Sequence, residues 1–125
     1  MAESRRGALG VRGEEAAVAW YRSASYDVLD RNWRCPEGEL DIVARSAQGD
    51  VLVFCEVKTR TSARYGSPFE AVTSAKQRRV RSLARLWLRR ASRTGAAYET
   101  IRFDVAAVTI GVGGDLEVEV LPDAF

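Results

Sequence analysis

The sequence predicts a single α/β domain, a central mixed β-sheet flanked by helices, in the order α-β-β-β-α-β-β. Three observations carry that prediction. Two apolar runs, residues 39–44 and 51–58, flank a short turn-like stretch, Ser46-Ala-Gln-Gly-Asp50, and read as a β-hairpin. A long stretch with helical spacing separates that hairpin from two further strand-like runs, residues 100–110 and 116–121. The chain has 125 residues with 46% hydrophobic and 29% charged content, which fits one domain with a modest core and no linker of domain-separating length.

Taken in order, residues 1–8 read as a mobile basic terminus. Residues 10–23 read as a helix whose apolar face is Ala16, Ala17, Trp20 and Tyr21, with Glu14 and Glu15 in its first half. Residues 26–34 are rich in Tyr, Val, Leu and Trp and form a first strand, closed by a Pro36-Glu-Gly38 turn. The hairpin follows, then a loop over 59–67. Ser67 and Pro68 suit an N-cap and first helical position, with the helix running to about Ser92 and a break near Thr73 and Ser74. Val80, Leu83, Ala84, Trp87, Leu88 and Ala91 make its buried stripe, and Arg78, Arg81, Arg85 and Arg89 lie opposite. Residues 93–95, Arg-Thr-Gly, end the element, and the last two strands are joined by 111–115.

The hairpin concentrates charge. Glu56 and Lys58 share one face of their strand, and Glu39 and Asp41 share one on theirs. A turn centred between Gln48 and Gly49 sets Asp41 opposite Glu56, and Glu39 opposite Lys58. Facing carboxylates with Cβ atoms about 5 Å apart repel and call for a shared proton or a cation. Mg²⁺, held by one or two carboxylates plus water and phosphate oxygens, fits that need. A lysine two residues from one ligand can hold or activate a water, or stabilise developing negative charge.

Composition narrows the chemistry. There is no histidine, which removes serine–histidine and cysteine–histidine nucleophiles and histidine-based zinc sites. Cys35 and Cys55 have no metal-type spacing, and Cys55 reads as a buried small hydrophobe. No signal-like apolar segment opens the sequence and no stretch is apolar enough to span a bilayer, so the expectation is a cytoplasmic protein without membrane contact. Of 19 basic residues only two are lysine, Lys58 and Lys76. In a chain that uses arginine almost everywhere, a lysine in mid-strand suggests a task for a compact ammonium whose pKa can shift. From Lys76 to Arg93 there are eight basic residues and no acid, while the rest of the chain is net acidic.

The stretches Gly10-Val-Arg-Gly-Glu14-Glu-Ala-Ala17, Arg31-Asn-Trp-Arg34, Gly38-Glu-Leu-Asp-Ile-Val43, Phe54-Cys-Glu-Val-Lys-Thr-Arg60 and Phe69-Glu-Ala-Val72, leading to Lys76, resemble in order and spacing the bacterial YraN family. Its members look like restriction-endonuclease-fold nucleases related to Holliday junction resolvases. The resemblance covers most of the chain. It implies a restriction-endonuclease-like fold with the Asp…(Asp/Glu)-x-Lys signature carried by Asp41, Glu56 and Lys58, and a metal-site glutamate on the first helix at Glu14. Leu40 stands where the wider motif has proline. Relatives of the resolvase type imply a homodimer.

Each feature also has a plainer explanation. Asp41, Glu56 and Lys58 could be a surface charge cluster, although a strand apolar on both faces up to Glu56 argues otherwise. Glu39 could pair with Lys58 or orient it. Glu14 could merely favour a helix N-terminus. The arginine face could be solvated, or could grip phosphates. Trp20, Trp33 and Trp87 read as core. The expected function is metal-dependent hydrolysis of DNA phosphodiester bonds, with branched or damaged DNA as candidate substrates. Asp41, Glu56 and Lys58 would be catalytic, Asp41, Glu56 and Glu14 would hold Mg²⁺ or Mn²⁺, and Arg60, Arg64, Lys76, Arg78, Arg81 and Arg85 would contact nucleic acid. The alternative is a nucleic-acid-binding module of the same fold without turnover.

Overall fold

Seven elements follow one another in the expected order: α1 (Ala2–Ser23), β1 (Asp27–Cys35), β2 (Gly38–Arg45), β3 (Val51–Arg60), α2 (Ser74–Ala91), β4 (Thr100–Ile110) and β5 (Leu116–Leu121). The computed structural model describes residues 2–61, 72–91 and 97–125, with side chains from Gly7 onward. Arg64, the Ser67–Pro68 helix start, and the Arg-Thr-Gly stop at 93–95 lie outside the described residues.

The five strands form one mixed sheet in the order β1-β2-β3-β4-β5. Only β3 and β4 are parallel, paired from Val51↔Thr100 to Arg60↔Thr109. A parallel pair cannot be joined by a tight turn, so the chain crosses over through α2. The other neighbours are antiparallel and joined by short connections. In the β2–β3 turn the Ser46 hydroxyl donates to Asp50 Oδ1 at 2.7 Å and accepts the Val51 N–H at 3.0 Å. Gly49 supplies the positive φ (79°) that this turn needs. The register is the one the sequence implied: Ile42↔Cys55, Val43↔Phe54, Ala44↔Val53 and Arg45↔Leu52.

The core has two halves. On one face of the sheet, Ala17, Val18 and Tyr21 of α1 pack on Ile42, Ala44, Val53, Cys55, Ala106 and Val108. On the other, Val80, Leu83, Ala84 and Trp87 of α2 pack on Leu40, Val43, Leu52 and Phe54. Strand β3 is therefore covered on both sides, which explains its near-continuous apolar run. Trp87 is core as expected, and its indole N–H donates to Asp30 Oδ2 at 3.0 Å. Cys35 and Cys55 are both free thiols and pack on opposite faces of the sheet.

Two departures from the expected elements bear on the site. Helix α1 extends back to Ala2, broken at Gly7 (φ 67°, ψ 177°), so Glu14 lies beyond the first turn of the run that follows the break. Helix α2 starts at Ser74, where Thr73 caps it: the Thr73 hydroxyl accepts the Lys76 N–H at 3.2 Å. The expected break near Thr73 and Ser74 is thus a true helix start, and it fixes where Lys76 emerges.

Candidate active site

The site forms where β2 and β3 part. Their ladder is paired as far as Ile42↔Cys55, and Asp41 and Glu56 are the next residues along it. On the β1 side the register runs from Arg31↔Ile42 to Trp33↔Leu40 and skips Asn32, whose φ is 52°. Ile42 packs under α1 while Leu40 packs under α2. Strict alternation would put both on one face, so the chain turns over at Asp41. The Asp41 side chain then does what a strand neighbour would have done: its Oδ2 accepts the Val57 N–H at 2.8 Å.

Four elements converge on the resulting cavity of about 480 Å³, lined by Glu14 from α1, Asp41 from β2, Glu56, Lys58 and Thr59 from β3, and Lys76 from α2. Glu14 gets there because Gly13 lies against Thr59, where a Cβ would overlap the threonine side chain. Glu14 is only 3% exposed and lies 3.8 Å from the Arg31 guanidinium. A helix-dipole preference acts mainly within the first turn and does not require burial, so it does not account for this acid. Lys76 Nζ stands 3.6 Å from Glu56 Oε1. A second lobe of about 400 Å³ shares Asp41, Glu56 and Lys76 and continues along α2 past Arg79 and Leu83.

The electrostatics follow from crowding. Burial first, then the negative charge of Glu56, push the Asp41 carboxyl up from 3.8 to about 8, with smaller contributions from Glu14 and Glu39 and an opposing one from the Val57 N–H. Burial and the neighbouring ammonium of Lys76 push Lys58 below the usual lysine range, against the pull of Glu56 and Asp41. The two lysines of the chain thus meet in this cavity, beside carboxylates from three different elements.

The expected triad is together, and Glu14 joins it. For Glu39 the structure shows a partner other than the expected Lys58. Glu39 pairs across β1–β2 with Arg34, whose Nη2 and Nε both lie 2.9 Å from Glu39 Oε2, because the two residues are directly opposite in that ladder. Arg60 closes β3 and does not line either lobe. Arg78 and Arg85 are exposed on α2, and Arg81 lies over the Phe103 ring at 4.7 Å and the Phe125 ring at 5.6 Å. Sequence reasoning missed Arg31 and Arg79. Arg79 lies one helical turn beyond Lys76, a spacing that could have revealed it.

As a metal site the donor set is of the two-carboxylate kind. Among the described residues no three acids, thiols or imidazoles are gathered to hold one ion. Asp41 and Glu56 fit a Mg²⁺-like cation that keeps water or phosphate oxygens as its other ligands. Among the described residues, no helix is long and apolar enough to cross a membrane.

Relatives share this chain nearly end to end. A UPF0102 protein of Rhodococcus opacus (strain B4) is 49% identical over 118 residues, covering 94% of this chain and 96% of its own. One from Frankia alni is 46% identical over 125 residues, the whole of both chains. One from Geobacter sulfurreducens is 47% identical over 117 residues, covering 94% and 88%. The model of the uncharacterised protein family UPF0102 matches residues 13–108, a span that runs from Gly13 through every residue of the cavity's charged set, and the chain belongs to that family.

Proposed function

We propose that the protein is a nuclease of restriction-endonuclease-like fold that hydrolyses DNA phosphodiester bonds with Mg²⁺ or Mn²⁺. The single observation that carries this reading is the convergence of Asp41, Glu56, Lys58 and Glu14 on one cavity at the point where β2 and β3 part. Facing acids and a strand lysine have little structural purpose there, since burial raises the Asp41 pKa and costs the fold stability at neutral pH. They suit a polyanionic substrate that arrives with a divalent cation.

Asp41 and Glu56 would hold the cation, and Glu14 adds negative charge from α1. The metal, when bound, would polarise a phosphoryl oxygen and acidify a water. Asp41 is oriented for its task by the Val57 N–H, which leaves Oδ1 without a hydrogen bond among the described residues. Lys58 sits two residues from Glu56 on the same strand, with an ammonium that burial and Lys76 make easier to deprotonate. It can place a water or take its proton. Among the described residues nothing in the cavity offers a base-reading pattern, so recognition would run through backbone and shape, with branched or damaged DNA as candidate substrates.

The test is cleavage of supercoiled, linear and four-way-junction DNA in Mg²⁺ or Mn²⁺. Wild-type protein should cut and Asp41→Ala should not; cutting that survives Asp41→Ala removes the site. The exposed arginines of α2 favour a second reading, binding without turnover. Salt-sensitive DNA binding with no cleavage in either metal would select it.

A further inference from the structure

The lysines of this chain are its rarest cations, two among 19 basic residues, and they lie 18 positions apart in sequence. The fold brings them into one cavity from different elements, Lys58 from β3 and Lys76 from the second residue after the start of α2 at Ser74. Among the described residues they are the only cationic side chains that line that cavity. Among the described residues no arginine lines that cavity, and Arg79 lines its second lobe.

Two neighbouring ammoniums repel unless negative charge lies against both. Glu56 supplies it here, with Lys76 at 3.6 Å. Glu56 is also a candidate cation ligand, and a carboxylate engaged with a metal no longer neutralises two ammoniums. Something else must then do so, and a tetrahedral oxyanion with several oxygens can accept hydrogen bonds from both at once. An ammonium is a compact point charge with three donors, whereas a guanidinium is a planar fork, so lysine suits two cations that share one small oxyanion.

We propose that Lys58 and Lys76 form a two-ammonium clamp for one phosphate group, so that α2 supplies a substrate-contacting residue from outside the hairpin. This deepens the nuclease reading, and rests on it for the identity of the phosphate as one of a nucleic-acid backbone. The Thr73 cap is part of the device, since it holds the Lys76 backbone N–H at 3.2 Å and so fixes the starting point of the Lys76 side chain. Arg79, one turn further along α2, lines the second lobe and extends the positive wall in the direction a strand of backbone would leave.

With only two lysines, selective ¹³Cε-lysine labelling gives two signals, assigned with Lys76→Arg. The metal-free protein is titrated with inorganic phosphate in one arm and with a short DNA duplex in the other. Both signals should move along one saturation curve. Movement in both arms means the clamp takes a free phosphate oxyanion; movement with DNA alone means it needs the diester in its backbone. Glu56→Gln, which removes the competing carboxylate, should tighten the response by roughly tenfold, as expected for charge-assisted bonds. Lys76→Met should weaken DNA binding by about tenfold and lower its salt slope by about 1. A Lys76 signal that stays still while Lys58 moves, no movement in either arm, or a Lys76→Met protein that binds like wild type overturns the clamp. Cleavage assays read the nuclease reading separately: a protein that cuts DNA with a motionless Lys76 loses only the clamp, and one that clamps phosphate without cutting loses only the nuclease.

Discussion

Asp41 is the residue where burial and charge meet most sharply. Its carboxyl holds a proton up to about pH 8 instead of the ordinary 3.8 because the fold surrounds it with protein and with Glu56. The folded state therefore binds one more proton than the unfolded chain between those values, so the stability of the metal-free protein falls as pH rises through that window. Asp41→Asn cannot ionise, and should flatten that part of the profile and raise the melting temperature at pH 8, by roughly 3–5 °C for each kcal/mol in a domain of this size. Thermal unfolding in chelator at several pH values measures it, and matching wild-type and Asn slopes would remove the Asp41 proton from the account. A cation must displace the same proton, so Mn²⁺ affinity should rise with pH up to about 8 and proton release should accompany binding, both readable by calorimetry in buffers of different ionisation heat. The importance of this residue was visible in the chain because hairpin register is local: five turn residues fix which positions face each other. The turn-over of its strand was not visible, because strict alternation is the local rule a strand offers and Leu40 and Ile42 depart from it.

At the scale of elements, α1 and α2 complete a site that the hairpin only begins. Helix α1 reaches β3 through Gly13, whose missing side chain leaves room for Thr59. Gly13→Ala should push the two apart, costing about 1–3 kcal/mol as overpacking does, and should withdraw Glu14 from the cavity. Cation affinity should then fall in step with stability, whereas Gly7→Ala, at a position with open space around it, should cost strain alone and leave cation affinity unchanged. Equal losses of cation affinity in both variants would show that α1 acts only as a packing element. On α2, Thr73→Ala removes the cap and should cost about 1 kcal/mol, with a loosened Lys76 as the local consequence. The α2 stripe, Val80 to Trp87, was legible from its 3.6-residue period. The meeting of its first turn with Glu56 was not, because no local rule says where a crossover helix lands on the sheet it crosses. Glu39 shows the converse: its partner across β1–β2, Arg34, follows from the Pro36-Glu-Gly38 turn as readily as the Lys58 pairing follows from the next one.

At the scale of the whole molecule, one charged cluster ties the layers together. Asp104 is fully buried in the middle of β4. Its carboxylate accepts the Tyr21 hydroxyl of α1 at 2.7 Å, two bonds from Arg102 at 2.8 Å each, and the Asp123 N–H near the C-terminal end at 3.1 Å. Arg102 also reaches the Tyr26 hydroxyl at 3.0 Å, just before β1. These bonds hold the Tyr21 hydroxyl and the Arg102 guanidinium in their protonated forms, with burial the larger cause for the tyrosine and the bond to Asp104 the larger for the arginine. The sequence contained the clue, since a lone acid in a central strand is rare unless paired; its partners were hidden because they come from a helix, a loop and the far end of the chain. Asp104→Ala takes the carboxylate from a buried tyrosine hydroxyl and from Arg102, which keeps only Tyr26, and should cost about 3–5 kcal/mol, the range for breaking a buried ion pair. Tyr21→Phe removes one neutral donor and should cost the smaller penalty, about 1–3 kcal/mol. Urea unfolding of both variants checks the ranking. Because the cluster lies across the sheet from α2 and contributes nothing to the cavity, DNA binding by the folded fraction should be unchanged in Tyr21→Phe, and a change in that affinity would mean that α1 transmits its packing to Glu14.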